Sequence, residues 1–237
     1  MIFMQRYFTQ TKKDNHFELT SDDIHHITNV MRMGEGSLIE VVYQERLYLC
    51  ELTNQNHAHI KEEIVVDEQK TPVIALIIPF LKEQKMDLIL QKGTELGVSE
   101  FIIIETERSI VKLDEKKANS RLVRWSKICK EASEQARRLT IPSVVIQRDK
   151  DRLFDLVGTK IICSPTEREY SIKKLLKNVT NCDRINIVIG PEGGFSLEEE
   201  IYFEKKGFAK VSLGTNIMRT ETVPIFLSSI ISYEFME

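Results

Sequence analysis

A small β-rich unit followed by an α/β unit on a mostly parallel sheet is the architecture this sequence predicts, and a change of texture along the chain carries the prediction. Residues 17–66 hold short β-type runs, SLIEVVY (37–43), RLYLCEL (46–52) and HAHIKEEIVV (57–66). From Val73 onward, continuous apolar strands alternate with longer helical patterns. Alternation of that kind means a parallel sheet covered on both faces. The polar stretch DEQKTP (67–72) separates the textures and places the boundary between a domain of residues 1–70 and one of residues 71–237.

In the first domain the runs 37–43 and 46–52 flank a brief polar turn and read as paired strands, a small barrel or sheet. SDDIHHITNVMRMGEG (21–36) reads as a helix, because Ile24, Ile27, Val30 and Met31 fall at helical spacing, with Ser21 as cap and Gly34 at the end. In the second domain VIALIIPF (73–80) is a strand, 83–97 a helix, SEFIIIETE (99–107) a strand and 118–139 a long helix. VVIQ (144–147), helical DRLFDLVG (151–158) and KIICSP (160–165) follow. NIVIG (186–190), a helix over 196–208, KVSLG (210–214) and an apolar helix around 224–236 complete the chain.

Composition excludes several classes. A chain of 237 residues, 42% hydrophobic and 29% charged, is globular and long enough for one large or two modest cores. The opening MIFMQRYFTQ has no charged segment ahead of an apolar core, and VIALIIPFL (73–81) is too short to cross a bilayer, so a cytoplasmic protein is expected. Cys50, Cys129, Cys163 and Cys182 are scattered without a CxxC pair and read as reduced packing residues; no metal is expected. Charge is unevenly spread. Residues 1–70 hold 7 basic and 12 acidic residues, a net of −5, whereas residues 108–152 hold 13 and 6, a net of +7. A polyanion should therefore meet the middle of the chain.

Chemistry concentrates at two strand exits. In VIGPEGGFS (188–196), Gly190, Gly193 and Gly194 permit close backbone approach to a ligand, and Ser196 with Glu199 forms a capping box. A tight strand–helix turn is the plainer reading of the same residues. Neither Lys-Ser/Thr nor G-x-G-x-x-G is present, and Glu192 would repel a phosphate, so a neutral or cationic ligand fits better. VSLGTNIMRTETVP (211–224) is the second exit, with Thr222 or Val223 as helix cap and Pro224 near the first helical position.

GPEGG (190–194), LG (213–214) and RTET (219–222) together resemble the small-subunit (16S) ribosomal RNA uracil-N3 methyltransferases of the SPOUT superfamily. MQRYF (4–8), HHITNVMRMGEG (25–36), KGTELGV (92–98), ERS (107–109) and the Gln135, Arg138, Pro142 spacing extend the resemblance along nearly the whole chain. Asn216 and Val223-Pro224 depart from the family pattern, which commonly has a basic residue and an alanine there, and three residues precede the family's usual Met-Gln-Arg start, which leaves both Met1 and Met4 as candidate initiators. The resemblance implies a PUA-like β-barrel followed by a SPOUT α/β methyltransferase domain with a C-terminal trefoil knot. It also implies a homodimer, S-adenosylmethionine as methyl donor, and methylation of N3 of a uridine in 16S ribosomal RNA (uridine 1498 in the family) on the assembled small ribosomal subunit. Neither membrane nor DNA is an expected partner.

Methyl transfer to a ring nitrogen requires alignment of donor and acceptor and release of the N3 proton. The expected cofactor residues are Ser164, Pro165 and Thr166; Ile189, Gly190, Pro191, Glu192, Gly193 and Gly194; and Leu213, Gly214, Ile217, Met218 and Thr222. Arg219 is expected to stabilise the anion left as the proton departs, and Glu221 to accept that proton. RNA contacts are expected from Arg6, His25, Arg32, Arg108, Arg137 and Arg138, alongside the basic face of the helix 118–139, which carries Arg121, Arg124, Lys127 and Lys130. Two other readings are open: a noncatalytic RNA-binding ribosome-assembly protein that retains the fold, and a nucleotide-dependent enzyme of the doubly wound type.

Overall fold

The structure is a computed structural model that describes residues 4–53, 57–66, 71–109, 115–179 and 182–235. Met1, on which the question of the initiator turns, and residues 67–70 of the expected boundary lie outside the described residues. The chain divides into two compact units, one of residues 1–68 with 133–141, the other of residues 69–132 with 142–237.

The first unit contains β1 (Arg6–Phe8), β2 (Lys12–Lys13), β3 (His16–Glu18), α1 (Ser21–His25), β4 (Leu38–Tyr43), β5 (Arg46–Leu52) and β6 (His57–Ile64). They form a six-stranded sheet in the order β1-β4-β5-β6-β3-β2. Only β1 and β4 pair in parallel; the other pairings are antiparallel. Register sets the core. Tyr7 lies opposite Val41, Val41 opposite Tyr48, Ile39 opposite Cys50, Leu52 opposite Ala58 and Ala58 opposite Phe17, so one face collects the apolar residues. The helix expected over 21–36 is shorter and is capped by Thr20, which forms a capping box with Asp23. It passes into a π-helical turn over His26–Val30 and ends at Met31. Arg32 then takes a left-handed φ of 54°.

Chain order in the second unit runs β7 (Val73–Pro79), α2 (Glu83–Glu95), β8 (Val98–Ile104), α3 (Glu115–Gln135), β9 (Ser143–Gln147) and a 3₁₀ turn (Lys150–Asp155). β10 (Thr159–Cys163), α4 (Ile172–Asn178), β11 (Arg184–Val188), α5 (Leu197–Lys205), β12 (Ala209–Val211) and α6 (Thr222–Glu234) follow. The six strands lie in the order β12-β10-β11-β7-β8-β9, and every pairing is parallel. Alternate residues of the strands feed two cores. Ile74, Leu76, Ile78, Phe101, Ile103, Ile185 and Ile187 pack with Met86 and Leu90 of α2, Trp125 and Cys129 of α3, Leu175 of α4 and Leu227 of α6. Ile77, Ile102, Ile104, Ile162 and Val188 pack with Phe203 of α5, Phe208 and Leu153. Burial on both faces is why these strands read as continuous apolar runs. α4, with the sequence IKKLLKN, is too short for its periodicity to announce a helix. Among the described residues no helix is long and apolar enough to cross a membrane.

Candidate functional site

Strand order decides which exits are neighbours. β12, β10, β11 and β7 are adjacent, so the segments that leave their carboxyl ends come together around a cavity of about 540 Å³. That volume suits a small organic ligand. Lys85 comes from the β7 exit, Ser164, Pro165 and Arg168 from β10, residues 189–195 from β11, and residues 212–220 from β12.

The β11 exit turns tightly: the Gly194 N–H donates to the Pro191 carbonyl at 2.9 Å, and Gly194 has φ of 68°. A Cβ on Gly190 would stand 3.2 Å from the Phe195 ring, which is buried beneath the loop. Arg108 donates to the Gly193 carbonyl at 2.8 Å. Ser196 and Glu199 form the expected capping box. At the β10 exit, Ser164 Oγ donates to Glu200 at 2.7 Å, and Glu200 also pairs with Lys210 of β12 at 2.5 Å, tying two exits to α5. At the β12 exit Gly214 has φ of 119°. α6 begins at Thr222 with Glu221 at the cap position, so Pro224 is the third helical residue, one place further in than a Thr222 cap and two further than a Val223 cap would put it. Its missing N–H still costs nothing there, since first-turn donors have no intrahelical partner.

Of the expected cofactor residues, Ser164, Pro165, Ile189, Gly190, Pro191, Glu192, Gly193, Gly194, Leu213, Gly214, Ile217 and Met218 line the cavity, and so does Arg219. Thr166, Glu221 and Thr222 are outside its lining. Thr166 bonds Ser164 through its hydroxyl and its backbone N–H, and Thr222 is exposed at the start of α6. The Arg219 side chain is exposed and has no hydrogen bond or ion pair among the described residues.

Glu221 turns away from the proton-accepting role. Burial raises its carboxyl pKa, but the Lys85 ammonium at 2.9 Å and the nearby Arg219 charge outweigh burial and leave the group below the usual carboxylate range. A base needs the opposite shift. Glu192 behaves alike: burial raises it, while its own backbone N–H and Lys85, at 3.1 Å, leave it lowered. Lys85 is raised by the two carboxylates it bridges. Cys163, also on the cavity, has its thiol pushed up to about 12 by burial and is a packing group, not a nucleophile.

The residues expected at RNA divide. His25, Arg32 and Arg108 are exposed. Arg6 is buried instead: it is 7% exposed, its guanidinium pairs with Glu40 at 2.8 Å, and it donates to the carbonyls of Arg137 and Arg138. Arg137 pairs with the same Glu40 at 2.5 Å, has φ of 58°, and donates to the Met4 carbonyl. Arg138 is half-buried. On α3, Arg124 pairs with Glu83 and Asp87, so that face is less positive than a count of its bases suggests. Lys85 and Arg168 line the cavity unforeseen; the sequence signal for Lys85 was its place just past a strand's carboxyl end.

Ligands of open parallel sheets bind beyond the carboxyl ends of the strands, and the cavity occupies that place, so the second unit is of the small-ligand-binding α/β class. Comparison with known proteins narrows the class. The RNA methyltransferase domain family matches residues 68–232 and the RNA methyltransferase PUA domain family residues 19–63. The chain belongs to the RNA methyltransferase family, and its N-terminal unit is PUA-like. It is 35% identical over 250 residues to the ribosomal RNA small subunit methyltransferase E of Bacillus subtilis, covering 98% of this chain and 97% of that protein. It is 33% identical to the protein of the same name in Mesomycoplasma hyopneumoniae, covering 94% and 97%. A crystal structure of ribosomal RNA small subunit methyltransferase E from Neisseria gonorrhoeae bound to S-adenosyl methionine superposes with a TM-score of 0.85 at 29% identity, covering 98% of each chain.

Proposed function

We propose that this protein transfers the methyl group of S-adenosylmethionine to N3 of a uridine in 16S ribosomal RNA, acting on the assembled small subunit in the cytoplasm as a homodimer. The observation that carries the reading is the meeting of the β10, β11 and β12 exits around one cavity, with Arg219 on its lining and free of ion pairs among the described residues. The same reading gives the C-terminal chain its SPOUT knot and divides the labour between residues 1–70, which grip RNA, and residues 71–237, which bind cofactor and catalyse. The relatives named for small-subunit ribosomal RNA methylation, and the neighbour bound to S-adenosyl methionine, support it.

The cavity fits the cofactor on its own chemistry. Gly194 and Gly214 have open space where a Cβ would stand, so a ligand can lie against their backbone. Glu192 on the lining is already paired with Lys85 at 3.1 Å, so the fit rests on the open backbone and not on the charge of the lining. When bound, the cofactor supplies an electrophilic methyl group. Peptide groups of Ser164, Pro165, Ile189, Gly190, Leu213, Gly214 and Met218, which line the cavity, would hold the ligand. Rigid placement supplies much of the rate, about 7–11 kcal/mol for well-aligned reactants. Arg219 holds the uracil anion as its N3 proton leaves to water. Glu221 is paired with Lys85 and takes no part in this step.

Mass mapping of modified nucleosides tests the proposal. Small-subunit RNA from cells lacking the protein should lose one N3-methyluridine, and the purified protein with S-adenosylmethionine should restore it. Restoration at another atom or in another RNA refutes the assignment.

A further inference from the structure

The β7 exit contributes one side chain to the cavity, and its place is unusual. Lys85 lies in the first turn of α2, whose N-cap residue, Lys82, makes no side-chain capping bond. A cation there opposes the helix dipole. Its pairing explains the position: the ammonium reaches Glu192 of the glycine loop at 3.1 Å and Glu221 of the last loop at 2.9 Å. The Glu221 carboxylate is 15% exposed, and Arg219 is near enough to act on its charge.

We infer that Lys85 is a positioning residue that occupies the Glu221 carboxylate and so leaves the Arg219 guanidinium available to the substrate. The inference rests on the role proposed for Arg219. Two carboxylates and two cations meet here, and the pairing among them decides which cation faces the cavity unneutralised. With Lys85 between Glu192 and Glu221, Arg219 is the one of these two cations left without an ion pair among the described residues. Without it, Arg219, whose charge already acts on Glu221, is left as a cation that can pair with this partly buried carboxylate. An arginine folded onto its own loop would meet a uracil anion poorly. A lysine that merely stabilised the loops would act on cofactor affinity and on turnover together.

The test uses single-turnover methylation of small subunits, calorimetry with S-adenosylmethionine, and thermal melts of each variant. Lys85→Met should lower the methylation rate at saturating cofactor by about tenfold or more, a fraction of the 10²–10³ lost with a whole oxyanion donor, and weaken cofactor binding less than the rate. Lys85→Arg should recover most of the rate. Adding Glu221→Gln to Lys85→Met should also recover it, because the neutral amide no longer competes for Arg219. A double variant as slow as Lys85→Met, or a Lys85→Met protein of normal rate, overturns the inference. If Lys85→Met does not fold, Lys85→Gln replaces it with the same expectations. Full activity in Arg219→Ala would instead remove the underlying assignment of Arg219, whatever the Lys85 variants do.

Discussion

Replacing Arg6 by alanine separates a framework arginine from an RNA-contacting one. The Arg6 and Glu40 side chains are 6% and 5% exposed, and the pair lies across the register-matched strands β1 and β4. Removing the guanidinium leaves the Glu40 carboxylate buried and takes a donor from the carbonyls of Arg137 and Arg138. Breaking one side of a buried pair costs about 3–5 kcal/mol. Arg137 still holds Glu40, so the loss should be smaller, about 2–4 kcal/mol. Urea unfolding followed by circular dichroism, together with amide exchange along β1 and β4, measures it. The expected result is a lower midpoint and faster exchange in both strands. Unchanged exchange and midpoint, with weakened binding to small-subunit RNA, would show that Arg6 contacts phosphate and that its burial here is incidental.

Arg219→Ala should reduce methylation by about 10²–10³ while calorimetry gives near-normal cofactor affinity. Its stability should stay within about 0.5 kcal/mol of wild type, as for surface substitutions generally, because the side chain is exposed and unpaired among the described residues. Cofactor affinity lost in proportion to rate would contradict that. Gly158→Ala should destabilise by about 2–5 kcal/mol, combining a left-handed backbone (φ 86°) with a Cβ 2.4 Å from the Arg184 carbonyl oxygen; an unchanged melting temperature would refute the geometry. Arg184 donates to Glu100 in bidentate fashion, and this hydrogen bonding holds the Glu100 carboxyl below its usual value of 4.5 despite partial burial. A depressed carboxylate contributes stability that is complete above the unfolded pKa and disappears as pH falls through the folded one. Glu100→Gln should therefore cost about 1–2 kcal/mol at pH 7, reduced by solvent at the exposed edge of the pair, and the difference from wild type should shrink in acid below about pH 4. A difference that stays constant across that range would show the pair to be electrostatically idle.

Two of the strand exits that carry the site, those of β11 and β12, were legible because glycine and proline punctuate them and apolar runs precede them. Local signals of this kind depend on neighbours in sequence, so GPEGG, the Ser196 capping box and the parallel sheet all follow from the residues themselves. The burial of Arg6 was not legible for the opposite reason: nothing near it in the chain announces Glu40 or the carbonyls of residues 137 and 138.

By itself, the sequence determined the alternation of elements, the change of texture near residue 66 and the glycine turns, since each depends on backbone preference and periodicity within a few residues. The tertiary structure alone decided that β7 lies beside β11, which brings Lys85 to Glu192 and Glu221. It also decided which arginines are buried and which stay exposed. Strand order and burial are outcomes of packing between distant segments, and a charge acquires its role from the neighbours that packing assigns it.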